Sequence, residues 1–166
     1  MESTRILGID PGLNITGYAV VEAKNRRIQI IEAGVVRGKT RGSLPARVRE
    51  IYDGVRDVIT SLQPQAMAIE QLYSHYERPK TAIIMGHARG VLCLAAEQAG
   101  LPIHHYSATQ IKKLLTGSGR APKSQMQLSV QRELGLAAIP DPPDVADALA
   151  VALCHYYLAS TPTQVA

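Results

Sequence analysis

At 166 residues with a formal charge of +4, the chain has room for one domain with a sizeable core and none for two nucleotide-binding lobes. A hydrophobic fraction of 46% and a mean hydropathy of −0.02 fit a soluble globular protein, and no apolar run approaches the roughly 20 residues that span a bilayer, which excludes a helical membrane protein. The basic excess, with a pI near 9.2, is too small by itself to name a polyanionic partner.

In chain order, Arg5 to Ile9 is a short apolar strand that runs into the turn Asp10-Pro11-Gly12, and Gly17 to Glu22 reads as its return strand. Asn25-Arg26 makes the next turn, and Ile28, Ile30, Ala33 and Val35 give a third, partly alternating strand, so three antiparallel strands open the chain. Leu44, Val48, Ile51, Val55, Val58 and Leu62 recur every three or four residues, the apolar stripe of a helix that begins near Ser43-Leu44-Pro45 and stops before Pro64. Ala66 to Glu70 is a compact buried strand, followed by a polar aromatic stretch and a helix from about Thr81 to Ala99, ended by Gly100. That helix is apolar or small on nearly every face. Gly86, Ala88, Gly90, Leu92 and Ala96 permit close approach, so one face is expected to bury against a second copy of the chain.

Ile103 to Tyr106 gives a fifth strand, Ser107 caps a short helix ending near Leu115, and Thr116 to Pro122 is a glycine-containing loop. Ser124 to Leu134 is a further helix, and Asp141-Pro142-Pro143 opens the last one, which runs through about Leu158. Three antiparallel strands followed by strands alternating with helices predict an α/β domain with a five-stranded mixed sheet flanked by helices, the order of a ribonuclease H-like fold. Residues 1–166 read as that single domain, with about 160–166 as a flexible tail, and there is no internal repeat or linker.

The N-terminus enters its first strand without the pattern of a signal peptide, so a cytoplasmic location is expected. Cys93 and Cys154 each lie in an apolar helical pattern and read as small buried hydrophobes, not as a disulfide or zinc framework. The distribution of charge says more than its total. No acid occurs from Gln98 through Arg132, where Lys112, Lys113, Arg120, Lys123 and Arg132 are found, and Arg37, Lys39, Arg41, Arg47 and Arg49 form a second acid-free group. Either cluster alone reads equally as a solvated basic face or as a phosphate contact; the two together favour nucleic acid.

Several carboxylates stand where structure alone does not require them. Asp10 ends the first strand, where α/β sheets place ligand-binding groups, although an aspartate before Pro-Gly is also a common turn former. Glu70 puts a charge at the end of an apolar strand, either as a solvent-exposed strand end or as a group needing a partner or metal. Asp144 and Asp147 lie at i and i+3, on one helix face within reach of a common ion. Asp144 alone could serve the helix dipole. Asp147, a turn deeper among Ala146, Ala148 and Leu149, resists that account.

If Asp10, Glu70, Asp144 and Asp147 converge, their repulsion requires divalent cations, and all-oxygen ligation suits Mg2+ or Mn2+. Two such ions, about 3.5–4 Å apart, would serve phosphodiester hydrolysis.

These residues resemble a known family. LGIDPG at Leu7 to Gly12, AIEQ at Ala68 to Gln71, HARG at His87 to Gly90, TGSGRAPKSQ at Thr116 to Gln125 and DVADALA at Asp144 to Ala150 are similar, in this order and spacing, to the RuvC Holliday-junction resolvases of bacteria, over nearly the whole chain. The resemblance implies a homodimeric crossover junction endodeoxyribonuclease that nicks two opposing strands of a four-way DNA junction in recombination and repair, beside a branch-migration complex of RuvA and RuvB type proteins. It implies that Asp10, Glu70, Asp144 and Asp147 ligate Mg2+ or Mn2+, the third of these being histidine in some members. Lys112 and Lys123 match basic positions that contact DNA or support catalysis, with Lys123 steadying the scissile phosphate.

Tyr73 falls where some relatives carry a phenylalanine that stacks on unpaired bases at the crossover; tyrosine keeps the π-face, and ordinary loop packing is the other reading. Arg78 and Lys80 either grip phosphates or belong to a solvated loop. The five histidines have no metal-ligand spacing and read as surface or satisfied core residues. Competing readings are a related nuclease acting on structured RNA, a silent junction-binding dimer, and an actin-like phosphotransferase, for which the chain is too short.

Overall fold

Asn25 and Arg26 both take positive φ, 52° and 60°, the conformation of a two-residue turn whose twist matches the strands it joins. It links the second and third strands of a meander: β1 (Thr4–Asp10), β2 (Ile15–Lys24) and β3 (Arg27–Arg37), each antiparallel to the next. In β3 the residues facing one core are Ile28 and Ile30, then Ala33 and Val35. The parity changes because the register slips between Val20 and Val21, leaving Ile31 without an opposing residue. That bulge is why β3 alternates only in part.

β4 (Ala66–Glu70) and β5 (Ile103–Tyr106) run parallel to β1, giving the order β3-β2-β1-β4-β5. The predicted α/β mixed sheet of five strands is the one found. The computed structural model describes residues 3–38, 41–72 and 78–160. Tyr73, Lys39 and residues 161–166 of the expected tail lie outside them.

Among the described residues five helices cover the sheet: α1 (Leu44–Leu62), α2 (Pro79–Gln98), α3 (Ala108–Thr116), α4 (Lys123–Glu133) and α5 (Pro143–Ser160). α1 is capped by the Ser43 side chain on Ala46 N–H, and α3 by a Ser107–Gln110 capping box. Alternation splits the sheet into two faces. Leu7, Ile9, Val20, Met67 and Ile69 pack with Ile51 and Val55 of α1 and Leu92 of α2, whereas Ile6, Ala19, Val21 and Ala68 pack with α5, Ile111 of α3 and Val130 of α4. Every residue of α5 from Ala148 to His155 is buried, as expected for a helix that is apolar or small all round.

α5 lies unusually close to β1 and β2. A Cβ on Gly8 would overlap the carbonyl of Ala148 and stand 2.8 Å from the Ala152 Cβ, and one on Gly17 would overlap the carbonyl of Asp144. Only glycine admits the helix backbone at these two points.

Three details differ from expectation. α2 starts at Pro79 and α4 at Lys123, one or two residues early, because frayed helix ends are poorly marked in sequence. On α2, Ala88, Leu92 and Ala96 are fully buried in this chain's own core, so they cannot form a partner-facing surface; the open face carries Ile83, Ile84 and Leu94, with free space beyond Gly86 and Gly90. Cys154 is buried as expected, but Cys93 is only half-buried. Among the described residues no helix is long and apolar enough to cross a membrane.

Candidate metal and nucleic-acid site

β1 and β4 are parallel neighbours with Ile9 beside Ile69, so the next residues, Asp10 and Glu70, end the two strands side by side. Gly8 and Ala68 face α5, and the period of two turns Asp10 and Glu70 toward the same side. Asp10 pairs across β2 with Gly17, on which the backbone of Asp144 rests. Asp147 follows one turn along α5. Two strand ends and one helix thus gather four acids from three distant stretches of the sequence.

Their charges oppose one another. The Asp10 carboxyl is pushed up to about 8, first by burial and then by the charges of Asp147, Glu70 and Asp144, with Lys123 opposing. Glu70 is raised by burial and by Asp147, against the pull of Lys112, Lys123 and Arg89. Lys123 Nζ donates to Asp147 Oδ2 at 2.9 Å, and chiefly this bond raises the lysine further. The second oxygen, Asp147 Oδ1, is buried without a hydrogen-bond partner among the described residues.

Among the described residues no three His, Cys, Asp or Glu side chains already stand at ligand spacing, so an ion would have to draw the acids together. The donor set otherwise fits a hard divalent cation: all oxygens, one of them buried and unpaired, and acids whose mutual repulsion a cation relieves.

Glu70 separates two pockets. One, of about 190 Å3, lies beneath α3 and α4 and includes Lys112, Lys123 and Asp147. The other, of about 210 Å3, includes Asp10, Gln71, Met85 and Arg89. Lys112 and Lys123 therefore share a cleft with Glu70 and Asp147. Arg78 and Lys80 do not: both are exposed at the start of α2, and their side chains make no hydrogen bond or ion pair among the described residues.

Two supporting residues were not singled out from the sequence. Arg89 donates to the Glu70 carbonyl and meets His105 Nδ1, tying the ends of β4 and β5 together. The signal was an arginine inside an otherwise small and apolar helix. Thr16 is fully buried; its hydroxyl donates to Gly12 O at 2.7 Å and accepts from Gly12 N–H at 3.2 Å, closing the turn after Asp10. Among the histidines, His155 is a satisfied core residue, bonded to the Tyr106 hydroxyl at 2.7 Å.

A family model described as Crossover junction endodeoxyribonuclease RuvC matches residues 6–155. The chain belongs to the RuvC family. A RuvC relative from Rhodopirellula baltica is 55% identical over 157 residues, covering 95% of this chain and 88% of the relative. Another from Moorella thermoacetica is 46% identical over 150 residues, 90% of this chain and 89% of its own. The structure of Thermus thermophilus RuvC in complex with Holliday junction substrate superposes with a TM-score of 0.87 at 34% identity, covering 94% of each chain. A separate structure of T. thermophilus RuvC gives a TM-score of 0.85 at the same identity, with 94% of this chain and 95% of that one covered. The ribonuclease H-like fold expected from the element order is the RuvC fold.

Proposed function

We propose that this RuvC-family chain is a divalent-metal-dependent endodeoxyribonuclease that resolves four-way Holliday junctions by paired nicks in homologous recombination and DNA repair, with 1–166 acting as one nuclease domain. One observation carries the reading. Asp10 and Glu70 end adjacent strands within the reach of Asp147, and burial first, then the charges of Asp147, Glu70 and Asp144, push the Asp10 carboxyl up to about 8. A fold gains nothing from such repulsion unless cations and phosphate occupy the place.

Asp10, Glu70, Asp144 and Asp147 are the residues that would hold the ions, Mg2+ or Mn2+, two to a site. When bound, these ions supply a nucleophilic water and stabilise the leaving oxygen. The chain's own cations then position the substrate. Lys123 Nζ has three donors, of which Asp147 Oδ2 takes one; a non-bridging oxygen of the scissile phosphate accepts another. Lys112, in the same cleft, adds charge that draws the DNA strand in. Hydrolysis breaks the bond from phosphorus to the 3′ oxygen, leaving ends that can be rejoined.

Tyr73 stacks on unpaired bases at the crossover, and Arg78 and Lys80 contact phosphates beside it. Two copies joined through the open α2 face, with Ile83, Ile84 and Leu94, present two sites to one symmetric junction. RuvA and RuvB type proteins are the branch-migration partners, and the bacterial cytoplasm is the place of action.

Cleavage of a four-way junction, profiled against Mg2+ and Mn2+ for wild type and for Asp10→Asn, Glu70→Gln, Asp144→Asn and Asp147→Asn, tests this. Wild type is expected to cut only with metal. Each variant is expected to bind the junction yet lose roughly a hundredfold or more in cutting, the loss of several kcal/mol of charge stabilisation. Undiminished cutting by Asp10→Asn overturns the reading.

A further inference from the structure

On the β3 side of the carboxylates lies a second group of donors that the mechanism leaves unused. β3 ends at Arg37, opposite Ile15 at the start of β2, and the following Gly38 donates its N–H to Asn14 O at 3.0 Å. A Cβ on Gly38 would stand 2.5 Å from Leu13 O and 3.7 Å from the Arg47 Cβ. The end of β3, the turn after Asp10 and the first turn of α1 therefore pack into one corner.

Asn14 is exposed, four residues beyond Asp10, and its Oδ1 accepts a hydrogen bond from Arg47 Nη2. With Oδ1 held by Arg47, both N–H donors of the amide are still to be used. Arg37 and Arg41 are exposed, and their side chains make no ion pair or hydrogen bond among the described residues. Arg49 is drawn instead to Asp53 at 3.5 Å. The first turn of α1 carries no acid, and Glu50 and Asp53 lie about a turn or more past Arg47.

β3 lies two strands from β1, which is about 10 Å from Asp10 across the sheet. With charges spaced about 3.4 Å per strand along the duplex axis, that distance places the corner within a few nucleotides of the phosphate being cut.

We propose that Asn14, Arg37 and Arg47 form a phosphate-binding corner that grips the DNA backbone on the β3 side of the active site, with Arg41 adding charge beside it. The proposal rests on the nuclease reading above and extends it: the strand is held by lysines on one flank of the carboxylates and by this corner on the other. Asn14 presents amide hydrogens to one phosphate oxygen, oriented by Arg47, and the arginines neutralise the charge.

The test is the salt dependence of DNA binding by the full chain in the presence of a chelator, on a four-way junction and on a linear duplex. Arg37→Gln and Arg47→Gln are each expected to flatten the slope of log K against log salt by about 0.9, the release of one counterion-equivalent. Arg47→Lys is expected to keep the slope, and Asn14→Asp to weaken binding about three- to tenfold by turning a donor into a repelling acceptor. Thermal melting of each variant checks the fold; should Arg47→Gln fail to fold, Arg37→Gln, at an exposed strand end, decides alone. Slopes that match wild type in the arginine variants would make the corner a solvated face and overturn the proposal. Failure of wild type to cut junctions would sink the nuclease reading instead, because the slopes on linear duplex are read without cutting.

Discussion

Asp10 couples the site to the stability of the whole fold. Its carboxyl, pushed up to about 8 mainly by burial, holds a proton that the unfolded chain releases near 3.8. Between those values the folded state binds more protons at this group than the unfolded one, so the contribution of Asp10 to metal-free stability is fully present below about 4 and is lost as pH rises toward 8. Asp10→Asn removes the repulsion without changing the shape. In chelator, it is expected to melt about 3–8 °C above wild type at pH 8.5 and within about a degree of it at pH 4, an effect on the order of 1–3 kcal/mol. A constant gap across that range in a thermal melt would refute the burial of Asp10 as the cause. Arg89 acts on the neighbouring acid through the backbone. Its two hydrogen bonds fix where β4 ends and hence where Glu70 stands, so it is a positioning residue. Arg89→Gln is expected to raise the Mn2+ concentration for half-maximal cutting about tenfold, with the same shift in Mn2+ affinity by calorimetry without DNA, and Arg89→Lys, which can serve one acceptor, to recover part of it. Equal affinity in all three would assign Arg89 to packing alone.

α5 is the element that joins core to chemistry, since the helix that fills one face of the sheet also delivers Asp144 and Asp147. Its height above the sheet is set at Gly8 and Gly17. Gly17→Ala would press a methyl group into the carbonyl of Asp144, and the first turn of α5 must lift. A loss of about 1–3 kcal/mol in denaturant unfolding is expected, together with a larger proportional loss of metal-dependent cutting than that stability change accounts for. A Gly17→Ala protein that unfolds and cuts as wild type does would show that contact with α5 is not what Gly17 provides. Much of this element was legible beforehand: the spacing of Asp144 and Asp147 and the depth of Asp147 mark one helix face, and both carboxylates act on Asp10. The glycines that seat the helix were not, because a close approach between elements distant in sequence leaves no local periodicity. The bulge at Ile31 shows the same limit, visible in β3 only as a broken alternation. Arg89 escaped for a related reason, since its partners are a backbone carbonyl and a histidine on another strand.

At the scale of the molecule, the sheet edge that holds the carboxylates is flanked by Lys112 and Lys123 on the α3 and α4 side and by Arg37 and Arg47 on the other. One such edge handles one strand, and a symmetric junction has two to cut. The sequence suggests pairing through α2 because that helix is apolar all round, yet only the packed fold tells which of its residues serve the core and which stay open. Ala88, Leu92 and Ala96 are committed inward, whereas Ile83 is 64% exposed and Leu94 49%. Glutamate at position 83 therefore costs the single chain little, but in a two-fold interface it would bury two like charges near each other. Ile83→Glu is expected to melt within about 2 °C of wild type, to sediment as a monomer at concentrations where wild type is expected to sediment as a dimer, and to convert paired cutting of a junction into single, uncoordinated nicks. A plasmid cruciform reads this directly: wild type linearises it within one encounter, and the variant is expected to accumulate nicked circles first. A wild type that sediments as a monomer with junction bound, or an Ile83→Glu protein that still linearises without a nicked intermediate, would place the pairing surface elsewhere than on α2.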